Sequence, residues 1–229
     1  MVDQFVESLH LPIPQIRLER FRTEPACHLH MLTNYFWDIA LAESLFPTLH
    51  SVELALRNTI HATLTDRYGT EEWWYQPYTL RPRQHAHVTG IEAEYRRNHG
   101  DPITPGRLVA ELSFGFWVVI LSFPYESRLW QYRRFRLVDQ AFPYRAGVTL
   151  HDIHQRFNNI WILRNRVMHY EAIFDRPDLR RDHADIHEAI QWFSPDLHAG
   201  IHVVDRFLEV HQVGWERTYN KLHGMLGGP

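Results

Sequence analysis

Arginine and histidine, five positions apart in Leu163-Arg164-Asn165-Arg166-Val167-Met168-His169, are the two side-chain types that cut RNA without a metal. A guanidinium is a permanent cation that grips phosphate through two parallel hydrogen bonds. Imidazole takes or gives a proton near neutral pH. At about 100° per residue, Ile153, Phe157, Ile160 and Val167 form one apolar helical stripe with Arg164 near its middle, and Asn165 and His169 share a neighbouring face. A charge inside a core-facing stripe is costly unless it is paired or put to use.

An earlier segment repeats the tripeptide. Leu49, Leu56, Ile60 and Leu64 share one helical face, with Glu53 in its middle, Arg57 a turn further on and Asn58 beside it. Two amphipathic helices with misplaced charges of opposite sign would pack together. Glu53 would then hold Arg57, Arg164 or both, leaving Asn58, Asn165 and His169 around a polar pocket. A buried structural ion pair gives the same pattern, since perturbed charges mark functional sites only statistically.

The elements that must position these residues are helical almost throughout. Leu29–Phe46 reads as a helix ending before Pro47, Thr48–Tyr68 as the first charged helix, Arg83–Asn98 as a polar helix and Gly106–Phe123 as an apolar one. Thr149–Phe174 reads as the second charged helix, and Leu179–Phe193 and Asp196–Val213 close the fold. Gly115, between Phe114 and Phe116, implies close helix contact, because no phosphate-binding glycine pattern surrounds it. Strand alternation is scarce. The expected class is all-α, in one domain: an N-terminal helical segment over 1–28, the main bundle over 29–213 and a frayed tail over 214–229.

Composition narrows the function. The 229 residues carry a formal net charge of −3, so the whole molecule is no general trap for polyanions. No apolar run approaches the roughly 20 residues of a membrane helix, and the N-terminus predicts no secretory leader; a cytoplasmic protein is expected. Cys27 is the only cysteine, which excludes internal disulfides and cysteine-based zinc clusters. The 17 histidines include the i, i+4 pairs His183/His187 and His198/His202, yet no third ligand has diagnostic spacing, so neither metal nor other cofactor is expected. Lys221 is the only lysine, a bias that genome composition also produces. Arg128, Arg133, Arg134 and Arg136 alternate with Trp130, Tyr132 and Phe135. That string suits a single nucleic-acid strand, and equally an amphipathic helix with arginine on its wet face.

Three strings together resemble the Abi-like abortive-infection proteins of the HEPN superfamily. They are Ser51-Val52-Glu53-Leu54-Ala55-Leu56-Arg57-Asn58, Leu112-Ser113-Phe114-Gly115-Phe116-Trp117-Val118, and Leu163-Arg164-Asn165-Arg166-Val167-Met168-His169-Tyr170-Glu171. The resemblance covers about Leu29 to Phe174. The group's mark is an arginine, a polar residue, then a histidine after four to six intervening residues. Arg164, Asn165 and His169 fit with four, whereas Arg57 and His61 have three between them, which makes His61 a helix-surface residue. Trp37-Asp38 stands where the pattern has Trp-Asn.

The resemblance implies a HEPN-like helical bundle with additional helices, acting as a metal-independent endoribonuclease in antiphage defence or a toxin–antitoxin pair. His169 would be general acid or base, Arg164 would stabilise the charge building at phosphorus, and Asn165 would orient the phosphate or imidazole. Glu53, Arg57 and Asn58 would support them, and Arg128, Arg133, Arg134, Arg136 and Arg166 would add to RNA binding. The partners implied are the RNA substrate, a second copy of the chain and an antitoxin protein or RNA, with no membrane. The alternative is a non-catalytic RNA- or nucleotide-binding module under antitoxin control.

Overall fold

A computed structural model describes residues 2–24, 27–132 and 135–227, with the backbone alone at 131, 132, 135 and 136. Its helices are α1 (Val2–Leu9), α2 (Gln15–Glu19), α3 (His28–Tyr68), α4 (Pro82–His99), α5 (Pro105–Glu111), α6 (Phe114–Val119), α7 (Phe123–Tyr125), α8 (Leu137–Ala141), α9 (Leu150–Met168), α10 (Leu179–Phe193), α11 (Pro195–Ile201) and α12 (Phe207–Met225). The class is all-α. One two-residue ladder interrupts it, β1 (Gln131–Tyr132) pairing antiparallel with β2 (Phe135–Arg136).

Two expected boundaries differ in this part of the chain. Pro47 does not stop α3, which runs for 41 residues through it. The proline removes one backbone donor, but buried Leu41, Leu45, Leu49, Val52 and Leu56 continue the apolar stripe on both sides of it. That burial offsets the lost bond. Among the described residues α3 is also long and apolar enough, by length and composition alone, to cross a membrane. This corrects the expectation that no such run exists, although its leucines are used as core. The stretch from Gly106 to Phe123 is broken rather than continuous. Ser113 interrupts it by capping α6, its hydroxyl accepting from Phe116 N at 3.3 Å, and Thr104 caps α5 in the same way.

The chain divides into two compact units, each assembled from separated segments. One comprises residues 1–48, 163–184 and 202–229, the other 49–162 and 185–201. The first is built on Val6, Leu18, Phe21, Met31, Leu32, Ala172, Leu222 and Leu226, all buried together. In it α12 packs on the first half of α3. Trp37 Nε1 donates to Val210 O at 3.0 Å, Trp215 Nε1 donates to Asn34 Oδ1 at 2.8 Å, and a Cβ on Gly214 would sit 3.0 Å from the Trp37 ring. The tail expected to fray is therefore helical to Met225 and contributes Leu222 and Leu226 to the core.

In the second unit the predicted stripes are buried as read: Leu49, Leu56, Ile60 and Leu64 from α3, and Ile153, Phe157 and Ile160 from α9. Trp73, Trp74 and Trp117 form a linked aromatic group, as do Phe142, Phe157 and Phe193. Gly115 lies where close contact was expected. A Cβ there would meet the Trp161 indole at 2.9 Å.

Candidate functional site

The two Leu-Arg-Asn segments fall in different units. In the second unit Glu53 and Arg57 are half-buried and Asn58 is exposed, so Glu53 is less deeply placed than its position in the stripe suggested. Nε of Arg57 is shielded and lacks a hydrogen-bond partner among the described residues. His61 is not a free surface residue. Its Nδ1 accepts from Trp73 Nε1 at 3.1 Å and its ring stacks on Trp74, and burial pushes its pKa below the ordinary imidazole value. Arg128 is exposed, with Nη1 donating to Tyr78 O at 3.3 Å. Arg133, Arg134 and the Arg136 side chain lie outside the described residues.

In the first unit α9 stops at Met168, six residues earlier than its apolar pattern suggested. The stop is a left-handed C-terminal turn. His169 N donates to Asn165 O at 2.9 Å, Tyr170 N to Val167 O at 3.2 Å, and Glu171 N to Arg166 O at 2.8 Å. Tyr170 occupies the left-handed position usually given to glycine, with φ +58°. The chain after it is tied down by one near group and two distant in sequence. Arg17 Nη2 donates to Tyr170 O at 2.6 Å, Arg166 Nη2 to Ala172 O at 2.6 Å, and Asp38 Oδ1 accepts from both Ile173 N at 2.7 Å and Phe174 N at 2.9 Å. Burial raises the Asp38 pKa, and these two amides offset only part of that rise.

This turn leaves His169 exposed at the helix end, in a pocket of about 390 Å³ lined by Ile16, Arg17, Arg20, Phe21, Arg166, Tyr170, Glu171 and Ala172 as well. Three guanidinium groups therefore surround one imidazole. Arg20 also lies 3.6 Å from Asp175, and Arg166 Nε lies 3.9 Å from Glu171. That Arg166 Nε is shielded from solvent and has no hydrogen-bond partner among the described residues. An anion with several acceptor oxygens suits such a pocket.

Of the residues expected to act, His169 and Arg166 come together here. Arg164 and Asn165 are half-buried and not part of this lining, and Arg164 Nη1 lies 3.5 Å from Asn165 Oδ1. Arg17 and Arg20 were missed. A signal existed in Ile16-Arg17-Leu18-Glu19-Arg20-Phe21, where two arginines three apart flank the buried Leu18 and Phe21. A helix of five residues gives that periodicity little length in which to show.

His183 is used in packing. Nε2 of buried His183 lies 2.8 Å from Asp205 Oδ2, and its ring stacks on Phe207 at 4.3 Å.

No family model, no curated protein and no solved structure matches this chain.

Proposed function

We propose that the protein is a metal-independent endoribonuclease, an Abi-like member of the HEPN superfamily, with His169 at its chemical centre. One observation carries this reading: an exposed histidine at a helix end, inside a pocket with Arg17, Arg20 and Arg166. The arginines would bind the scissile phosphate and counter the charge that builds on its oxygens, which is often the largest contribution in such sites. The 2′-oxygen attacks phosphorus, forming the O2′–P bond as the P–O5′ bond breaks. One group takes the 2′-OH proton and another protonates the departing 5′-oxygen. The products are a 2′,3′-cyclic phosphate and a 5′-OH.

One histidine supplies one of those two proton transfers. A second copy of the chain, bringing its own His169 close, would supply the other, and two-fold dimers are the commonest oligomers. Asn165 keeps a role in this scheme, because its carbonyl accepts the His169 amide where α9 ends. Arg166 takes over the phosphate contact first expected of Arg164.

The test is cleavage of a labelled RNA pool in EDTA by the wild type and by His169→Ala. Cyclic-phosphate ends from the first and none from the second support the reading. Cleavage that requires added magnesium, or that persists in the variant, overturns it. RNA binding without cleavage in both proteins would favour the binding-module alternative.

A further inference from the structure

A second cavity adjoins the His169 pocket through shared walls. It measures about 560 Å³, within the roughly 300–1,000 Å³ typical of small-ligand sites, and Arg17, Tyr170 and Glu171 line both cavities. The character of the two differs. The second is faced by Ile39, Ala42, Phe46, Pro47, Val167 and Met168, and its polar lining includes Asp38, Glu43 and Arg206. Ile39 and Phe46 are about half exposed and Tyr170 is 75% exposed, so this apolar surface is left open to water.

We propose that this cavity is the base subsite of the same site and takes a purine, while the nucleotide's phosphate occupies the pocket of Arg17, Arg20, Arg166 and His169. The proposal rests on reading that pocket as a phosphate site. The division of labour follows the division of the ligand: a planar, largely apolar ring beside a polyanionic group. Phe46 and Tyr170 bring exposed aromatic rings to the lining, and bases stack on aromatic rings whatever their sequence. A purine covers more of that surface than a pyrimidine does.

Polar features suit the edge of a base. Pro47 has no N–H to give to the Glu43 carbonyl one turn back, and both residues line this cavity. Glu43 itself is held by Arg206 at 2.6 Å. Asp38, at 6% exposure, brings a carboxylate to the lining, where it can accept from an exocyclic amine or ring N–H.

The experiment is calorimetric titration of the full chain in EDTA with GMP, AMP, UMP, CMP and inorganic phosphate. Both purine nucleotides are expected to bind about tenfold more tightly than phosphate and several-fold more tightly than the pyrimidines. Ala42→Phe fills the cavity and should bring GMP and AMP down to the affinity of phosphate. Unchanged phosphate binding in that variant shows that it is folded. Phe46→Ala, at a half-exposed position, should weaken the purines alone. Purines no tighter than phosphate or than pyrimidines would overturn the proposal, as would Ala42→Phe without effect. Mononucleotides contain no scissile linkage, so the outcome is separate from catalysis. Tight purine binding by a protein that cuts no RNA leaves this inference standing and removes the nuclease. Cyclic-phosphate cleavage without purine preference does the reverse.

Discussion

The same tripeptide, Leu-Arg-Asn, sits in two surroundings that give its following histidine opposite fates. After Arg57 the helix continues for more than two turns to Tyr68, and His61 is drawn into hydrogen bonding and stacking with the tryptophans at 73 and 74. After Arg164 the helix ends one residue before the histidine, and His169 emerges among arginines. Residue type is shared and surroundings are not. An imidazole acts on a substrate only where it is reachable and faces groups of the right charge, and the helix end supplies both.

The strongest way to break this comparison is to delete each histidine. His169→Ala is expected to lower RNA cleavage by about 10²–10⁴-fold, the usual worth of a general acid or base, with RNA binding retained because other cations hold the backbone. His61→Ala should leave cleavage per folded molecule unchanged. A parallel loss in both variants, measured on fragment ends, would show that the two segments form one functional unit after all.

Arginine substitutions sharpen the same point. Arg166→Ala should cost cleavage more than Arg164→Ala does, because Arg166 lines the His169 pocket and Arg164 does not. Arg166→Lys should recover little, since an ammonium cannot reproduce a planar two-pronged grip. The opposite ranking in single-turnover rates would return the phosphate contact to Arg164.

These rankings depend on features that the sequence revealed unevenly. The apolar stripes of α3 and α9 were legible because burial imposes a 3.6-residue period over many turns. The close approach at Gly115 was legible because only a missing side chain lets an indole come that near. The end of α9 was not. Helices commonly stop at glycine, and here Tyr170 takes the left-handed turn under the restraint of Arg17, Arg166 and Asp38. Two of those three lie more than a hundred residues away in sequence, so no local pattern announces them. Continuity through Pro47 was hidden for the converse reason. Local chemistry argued for a break that long-range burial overrode.

Tyr170 itself tests how much the second segment gives up for its geometry. A non-glycine residue in the left-handed region costs about 1 kcal/mol or more, so Tyr170→Gly is expected to raise stability toward denaturant by roughly 0.5–1 kcal/mol. The same change should weaken purine nucleotides by removing an exposed ring from the cavity wall. Stability that falls instead would mean that packing of the tyrosine outweighs the strain.

The smallest expected effect concerns the first segment and pH. Burial favours the neutral form of His61, so its folded pKa lies below the unfolded value near 6.5. The unfolded chain therefore binds the proton first as pH falls, and stability contributed by neutral His61 is present above about pH 6.5 and declines below it. His154 and His211 are lowered for the same reason and act in the same direction. Removing His61 should cost about 1–2 kcal/mol at pH 8, because the Trp73 indole N–H loses its acceptor in a buried place. That deficit should shrink as pH is lowered from 7 toward 5, since the variant has one fewer group to be protonated on unfolding. Urea midpoints of both proteins across that range decide it. A constant gap would show that His61 acts through ring packing alone, and that the hydrogen bond to Trp73 contributes nothing that depends on its charge.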